Sequence, residues 1–256
     1  MKSLTSKWVL ISGASSGIGE ACARAFAELG CNLVLLARRS ERLDIVKKSI
    51  LQGNPVEIHS FCIDVRNKNQ VIELSNTLSE LQITPYVLIN NAGLAVGKSK
   101  IQEGLFDDWE RMIDTNIKGL LYVTRAILPQ MIEKNEGLII NIGSTAGHIV
   151  YQSGNVYNAT KFAVRALNEG INLDLVDTDI KCCSIDPGAV ETEFSKVRFK
   201  GNHDLADSVY KGYEPLQAND IAEIAVFVAT RPLHVNIQNI VVYPTTQRNA
   251  FVHRKS

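Results

Sequence analysis

Trp8-Val9-Leu10-Ile11-Ser12-Gly13-Ala14-Ser15-Ser16-Gly17-Ile18-Gly19 is the stretch on which the fold of this chain turns. A short apolar run enters a turn whose glycines are spaced GxxxGxG, and a helical pattern, Ile18–Leu29, follows at once. Glycine tolerates positive φ in a tight turn and lets the backbone come close to an anion. The start of the following helix offers unpaired N–H groups and the positive end of its dipole. A strand, a glycine turn and a helix in this order form the place where a dinucleotide pyrophosphate is held. Gly13, Ser15, Ser16, Gly17, Ile18 and Gly19 are therefore expected to contact a dinucleotide. Many loops carry several glycines, so the rest of the chain must add weight.

Outward from this turn, short apolar runs alternate with longer helical patterns. The expected strands are Trp8–Ser12, Asn32–Ala37, Val56–Ile63, Val87–Asn90, Leu138–Ile142, Lys181–Ile185 and Ile240–Tyr243. They are rich in Val, Ile and Leu with little alternation, as in strands buried on both faces of a parallel sheet. Helices are expected near Ile18–Leu29, Arg42–Gln52, Lys68–Glu80, Trp109–Lys134, Val156–Asp177 and Asp220–Thr230. The pattern predicts an α/β fold: one domain over residues 1–256, a doubly wound parallel sheet of seven strands with helices on both faces. Residues 186 to about 208 follow the sixth strand without a clear period. A long loop at the carboxyl end of a strand is a candidate substrate lid. Residues 243–256 read as a tail without a helix of its own.

Lys plus Arg and Asp plus Glu both total 27, for zero net charge. That argues against a nucleic-acid footprint and against an electrostatic membrane anchor. No apolar stretch approaches a membrane span, and the N-terminal apolar run is a first strand, not a signal peptide. The five cysteines, Cys22, Cys31, Cys62, Cys182 and Cys183, have no metal-ligand spacing and read as free thiols of a reducing compartment. No metal is expected, and a cytoplasmic protein is.

The second strand ends in Arg38-Arg39, 19 residues beyond Gly19, where such a fold meets the adenosine ribose. An acid there suits the ribose hydroxyls of NAD; two arginines suit the 2′-phosphate of NADP(H). The plainer reading is a solvated charge pair at a helix start. Asp64, with Val65 beside it, ends the third strand and serves either the adenine or as a helix cap. The fourth strand ends Asn90-Asn91-Ala92-Gly93, where the small residues leave room for a ribose or ring on the backbone. Tyr157 and Lys161 are four apart, hence on one helix face. A tyrosine ordinarily titrates near ~10, too high for a general base, and an adjacent Lys cation lowers it. Ser144, at the carboxyl edge of the fifth strand, can hydrogen-bond a substrate oxygen. Alone, a Tyr/Lys pair at this spacing is common surface decoration.

Together, Gly13–Gly19, Asn90–Gly93, Ser144, Tyr157/Lys161 and Pro187-Gly188 resemble the short-chain dehydrogenase/reductase superfamily over essentially the whole chain. The one departure is Ser12 in place of the usual Thr, which keeps the hydroxyl. The resemblance implies that Asn116 is a fourth catalytic residue, holding a water that links Lys161 to solvent. Read bare, Asn116 is a helix-interior structural residue. The expected cofactor contacts extend to Tyr157, Lys161, Pro187, Gly188, Val190 and Thr192.

Trp109–Gly119, Asn141–Gly147, Gly154–Tyr157, Glu193–Gly201, His234–Gln238 and Pro244–Gln247 are similar to the NADP-dependent 3-hydroxy acid dehydrogenases. This branch includes serine/L-allo-threonine dehydrogenases and malonic semialdehyde reductases, and implies hydride transfer between NADP(H) and a small 3-hydroxy acid or its semialdehyde. A general carbonyl reductase is the second reading. A non-catalytic NADP(H) sensor is the third, against which stand Asn116, Ser144, Tyr157 and Lys161. The resemblance also implies a homotetramer. A substrate carboxylate needs a partner if buried. Of Lys196, Arg198 and Lys200 in the candidate lid, Arg198 is the expected anchor, because its planar fork matches a carboxylate.

Overall fold

The computed structural model describes residues 3–212, 214–249, 251, 252 and 254. The apolar runs form β1 (Trp8–Ser12), β2 (Asn32–Ala37), β3 (Ile58–Cys62), β4 (Pro85–Asn90), β5 (Gly137–Ile142) and β6 (Ile180–Pro187). Two short strands, β7 (Val190–Glu191) and β8 (Leu216–Gln217), precede β9 (Asn239–Val242). Among the described residues, seven strands form one sheet in the order β3-β2-β1-β4-β5-β6-β9, every neighbouring pair parallel.

The covering helices are α1 (Gly17–Glu28), α2 (Ser40–Leu51), α3 (Lys68–Glu80), α4 (Phe106–Ile113), α5 (Leu120–Lys134), α6 (Asn155–Asp174), α7 (Phe194–Arg198), α8 (His203–Ser208) and α9 (Ala218–Ala229). Side chains alternate across a strand, so each strand feeds two cores. Val9 and Ile11 of β1 pack with Phe26 of α1 and Ile221 and Ala225 of α9. Leu10 packs the other way, with Leu74 of α3 and Val123 and Ile127 of α5. Near-continuous apolar strands are the consequence of being covered twice.

The chain runs from β1 outward to β3, then returns to the far side of β1 as β4. Connections after β1 and β4 therefore leave in opposite directions, and a crevice opens at their carboxyl ends. This switch point places the site.

Three expectations change in detail. The helix expected over Trp109–Lys134 begins earlier and is divided: α4 and α5 are joined by a π-helical turn, Asp114–Gly119. There a Cβ on Gly119 would lie 2.7 Å from the Val65 side chain, so the widened turn lets the helix pass close beside the end of β3. The 186–208 segment, expected as a loop, holds β7, α7 and α8; β7 pairs in parallel with β8. The tail docks partly on its own chain: Gln247 Oε1 accepts the Ala189 N–H at 3.0 Å. Ala250, His253, Lys255 and Ser256 of that tail, like Met1 and Lys2, lie outside the described residues. No helix among the described residues is long and apolar enough to cross a membrane.

Candidate active site

At the end of β1 the Ser12 hydroxyl accepts the N–H groups of Asn91 and Ala92, each at 3.0 Å, and donates to the Ile89 carbonyl. Asn91 Nδ2 donates back to the carbonyls of Ser12 (3.0 Å) and Gly13 (3.2 Å). These bonds join the ends of β1 and β4 at the switch point. Gly13 (φ +67°) and Gly17 (φ +56°) adopt the left-handed conformation that the turn requires. Gly19 is needed for another reason: a Cβ there would run into the Gly13 carbonyl. It sits behind the turn and not on the wall of the cleft.

A cleft of about 360 Å³ starts at this turn, lined by Gly13, Ser15, Ser16, Gly17 and Ile18, and ends at Tyr157. Arg38 and Arg39 beyond β2, Asp64 and Val65 beyond β3, and Asn91, Ala92 and Gly93 beyond β4 line it in turn. So do Ser144 beyond β5, Lys161 of α6, and Pro187, Gly188, Val190 and Thr192 after β6. Sequence reasoning missed Leu94, Ile142, Glu193, Phe194 and Val197 on the same wall. Their only signal was adjacency to motif residues. Ser16 caps α1 without a side-chain bond to its amides, so the first turn of that helix keeps its N–H groups for an anion.

Arg39 Nη2 donates to Ser15 Oγ (3.1 Å) and Ser16 Oγ (2.8 Å), and its Nη1 to Glu193 Oε2 (3.1 Å). It thus bridges the glycine turn and the segment after β7. Asp64 is not a cap, since Asn67 caps α3 by accepting the Asn69 and Gln70 amides. Its carboxylate instead chelates Arg66, whose Nη2 lies 2.6 Å from Oδ2. Partial burial pushes the Asp64 carboxyl up, but the Arg66 bonds outweigh it and hold the group below its ordinary 3.8.

Tyr157 and Lys161 are both buried on α6. Burial pushes the Tyr157 phenol above its ordinary 10.0; Tyr151 adds to this, and a Ser144 hydrogen bond and the Arg198 cation oppose it. The Lys161 amine lies 6.0 Å from the Tyr157 ring centre and donates to the Ile142 carbonyl at 2.8 Å. Burial draws that amine down to about 8, with the Asp186 carboxylate opposing. The groups that lower the phenol are Ser144 and Arg198 and not, as expected, Lys161, and burial outweighs both.

Asn116, buried in the π-helical turn, is not on the cleft wall. Its Oδ1 accepts the Leu94 N–H and its Nδ2 donates to the Leu94 carbonyl, both at 2.8 Å, and to Thr160 Oγ1 at 3.0 Å. It clamps the chain after β4 to the helices beneath, near Lys161: a Cβ on Gly93 would lie 3.4 Å from Asn116 Oδ1 and 3.7 Å from Lys161 Nζ.

Of the three cations in the candidate lid segment, Lys200 pairs with Asp108 (2.8 Å) and Lys196 is exposed. Arg198 turns inward, 5.6 Å from the Tyr157 ring centre, with Nη2 on the Tyr151 hydroxyl (2.9 Å) and a buried Nε that has no partner. It reaches the site from a small pocket adjoining the main cleft and sharing Tyr157 with it. No group of three or more His, Cys, Asp or Glu side chains among the described residues is placed to hold a metal.

The sequence profile of the family described as short chain dehydrogenase matches residues 7–203. The NADP-dependent 3-hydroxy acid dehydrogenase YdfG of Salmonella typhi is 44% identical over 249 residues, 96% of this chain and 99% of the relative. Sulfoacetaldehyde reductase 2 of Chromohalobacter salexigens is 42% identical over 93% of this chain and 94% of its own. Among solved structures, the closed form of serine dehydrogenase complexed with NADP+ superposes with a TM-score of 0.90 at 43% identity, covering 97% of this chain and 100% of that one. With its glycine turn at the switch point and its Ser144, Tyr157 and Lys161 gathered at the far end of one cleft, this chain belongs to the short chain dehydrogenase family.

Proposed function

We propose that this chain is an NADP(H)-dependent oxidoreductase that moves a hydride between the nicotinamide and a small 3-hydroxy acid or its semialdehyde. The observation that carries the reading is the Arg198 guanidinium set against the Tyr157 ring, with its buried Nε unpaired. An unpartnered buried donor on a cation is costly, and a substrate anion satisfies it. The names of the relatives, which include a 3-hydroxy acid dehydrogenase, a serine dehydrogenase and a sulfoacetaldehyde reductase, agree with a small anionic substrate.

The cleft fits the cofactor. Glycines at Gly13 and Gly17 leave backbone open to a pyrophosphate, and a Cβ on Gly17 would press on Thr192 at 3.2 Å. Arg38 and Arg39 stand where a 2′-phosphate needs cations. When bound, the nicotinamide supplies or accepts the hydride. Tyr157 holds the transferable proton at its hydroxyl, Ser144 Oγ orients the substrate oxygen beside it, and the Lys161 ammonium favours the phenolate once that proton has left. Asn116 holds the Lys161 end of the site in place and serves the proton relay. Arg198 binds the acid group. Residues 186–208 act as the lid that delivers Arg198, and Gln247 of the tail supports the base of the lid.

We also assign a homotetramer in the cytoplasm. Leu121 of α5 and Phe162 of α6 are partly exposed apolar side chains suited to isologous packing. The five unpaired cysteines suit a reducing compartment. Light scattering at micromolar concentration is expected to give four times the chain mass; a monomer mass refutes the assembly.

The functional test is reduced-cofactor absorbance with NADP and a panel of L-serine, 3-hydroxyisobutyrate, isethionate and neutral alcohols of similar size. Acids are expected to be turned over, and Tyr157→Phe is expected to lose about 10²–10⁴-fold. Arg198→Ala is expected to raise KM for acids by the equivalent of about 1.5–3 kcal/mol and to leave neutral alcohols little changed. Equal losses on both classes would make Arg198 a lid support, and turnover of neutral carbonyls alone would favour the general carbonyl reductase.

A further inference from the structure

A buried carboxylate stands beside the end of β5. Asp186, next to last in β6, is 1% exposed. Ser184 Oγ reaches its Oδ1 at 2.5 Å, Asn239 Nδ2 its Oδ2 at 2.5 Å, and His148 Nε2 the same Oδ2 at 2.6 Å. The carboxylate rests directly on Gly143, where an added Cβ would collide with Oδ1. Gly143 is the residue between Ile142, whose carbonyl takes the Lys161 ammonium at 2.8 Å, and Ser144. β5 and β6 are in register here, Ile142 against Ile185, and Gly143 N–H binds the Ile185 carbonyl at 2.8 Å. From the other side, a Cβ on Gly147 would lie 2.6 Å from the Lys161 carbonyl, so the turn carrying His148 is packed on Lys161 too. One peptide unit, Ile142–Gly143, thus lies between the buried carboxylate and the buried ammonium.

We propose that Asp186 is a positioning residue for catalysis: it is the counter-charge that keeps the Lys161 ammonium protonated in its buried site, and His148 is the route by which a surface group reaches that charge. This deepens the reading of Tyr157 and Lys161 as the proton-handling pair and rests on it. An ammonium taken out of water loses its proton more readily, and a nearby anion reverses the loss. Burial and Asp186 act on Lys161 in those opposite senses. The other titratable groups facing the pair are Tyr157 on the same helix and Cys183 of β6 beside Asp186. Arg165 stands behind His148, with Nη1 3.3 Å from its Nδ1. Arg198 and Tyr151 face Tyr157. Among the described residues, the anion that acts on Lys161 is the carboxylate of Asp186. Gly143 follows from the same arrangement, since any side chain there would displace Asp186.

The test is the pH profile of kcat/KM for the intact enzyme and its variants. The alkaline limb falls as Lys161 loses its proton. Removing the anion lets the proton leave at lower pH, so in Asp186→Asn this limb is expected to move down by about one pH unit or more. An Asp186→Asn enzyme that folds and keeps the wild-type limb overturns the inference. If that variant does not fold, His148→Lys decides: it sets a fixed cation against the same carboxylate without removing a buried acceptor. Its limb is expected to move in the same direction, and an unmoved limb overturns the inference. Lys161→Ala separates this from the broader reading. Loss of the limb in Lys161→Ala keeps Lys161 as the titrating group. A limb that persists there removes Lys161 from the mechanism, and the inference about Asp186 falls with it.

Discussion

Arg39 shows how much one residue's position decides. Its guanidinium already lies within hydrogen-bond reach of Ser15, Ser16 and Glu193, so its fork is aimed across the cleft before any phosphate arrives. A phosphate is a stronger acceptor than two neutral hydroxyls, and guanidinium–phosphate bonds are charge-assisted and paired. Such a bond contributes about 1.5–3 kcal/mol, which predicts a preference for NADP over NAD of roughly tenfold or more in kcat/KM. Replacing Arg38 and Arg39 together by Ala is expected to narrow or reverse that preference. An unchanged ratio would mean that the phosphate is bound elsewhere. Both arginines were legible because their distance from the glycine turn is set by one helix and one strand. Glu193 was not, because it comes from a segment 154 residues away whose return to Arg39 no local spacing encodes.

At the scale of elements, the strands were legible and the joints were not. β1 and β2 lie where their apolar runs place them, since burial on both faces writes a continuous signal. The cap of α3 shows the limit. Asp64 and Asn67 are both plausible caps by residue type, and the structure gives the cap to Asn67, which accepts two amides, and gives Asp64 to Arg66. Asn67→Ala is therefore expected to lower stability by about 1 kcal/mol. Read by thermal denaturation, that is a fall of about 2–4 °C for a domain of this size. An unchanged midpoint would show that water replaces the cap at no cost. The π-helical turn at Asp114–Gly119 escaped the sequence because the apolar period continues through it. Its cause is the fit of Gly119 against Val65 and of Asn116 against Leu94, contacts made with another strand's end.

Across the whole molecule, the layers are held in register by polar contacts as well as by their apolar cores. Asn90 at the end of β4 donates to Asn141 Oδ1 of β5 at 3.0 Å, and Asn141 Nδ2 donates to Asn168 Oδ1 of α6 at 3.0 Å. Asn168 Nδ2 closes on the Gln238 carbonyl, just before β9, also at 3.0 Å. This buried chain runs from the middle of the sheet to its last strand, beneath the residues that carry Ser144 and Lys161. An asparagine ending an apolar strand looks like a turn residue in the sequence; only the packed layers give it two partners. Asn141 is fully buried, so water has no access to replace it. In Asn141→Leu the Asn90 amide loses one of its two acceptors and Asn168 Oδ1 loses the Asn141 donor, keeping only the weak Cys182 thiol at 3.1 Å. A buried polar group left short of its partner costs about 1–3 kcal/mol, so the variant is expected to lose about 3 kcal/mol in urea unfolding with its slope unchanged. A loss under about 1 kcal/mol would mean that the strands keep their register without this chain, and that apolar burial alone aligns the sheet on which the cleft is built.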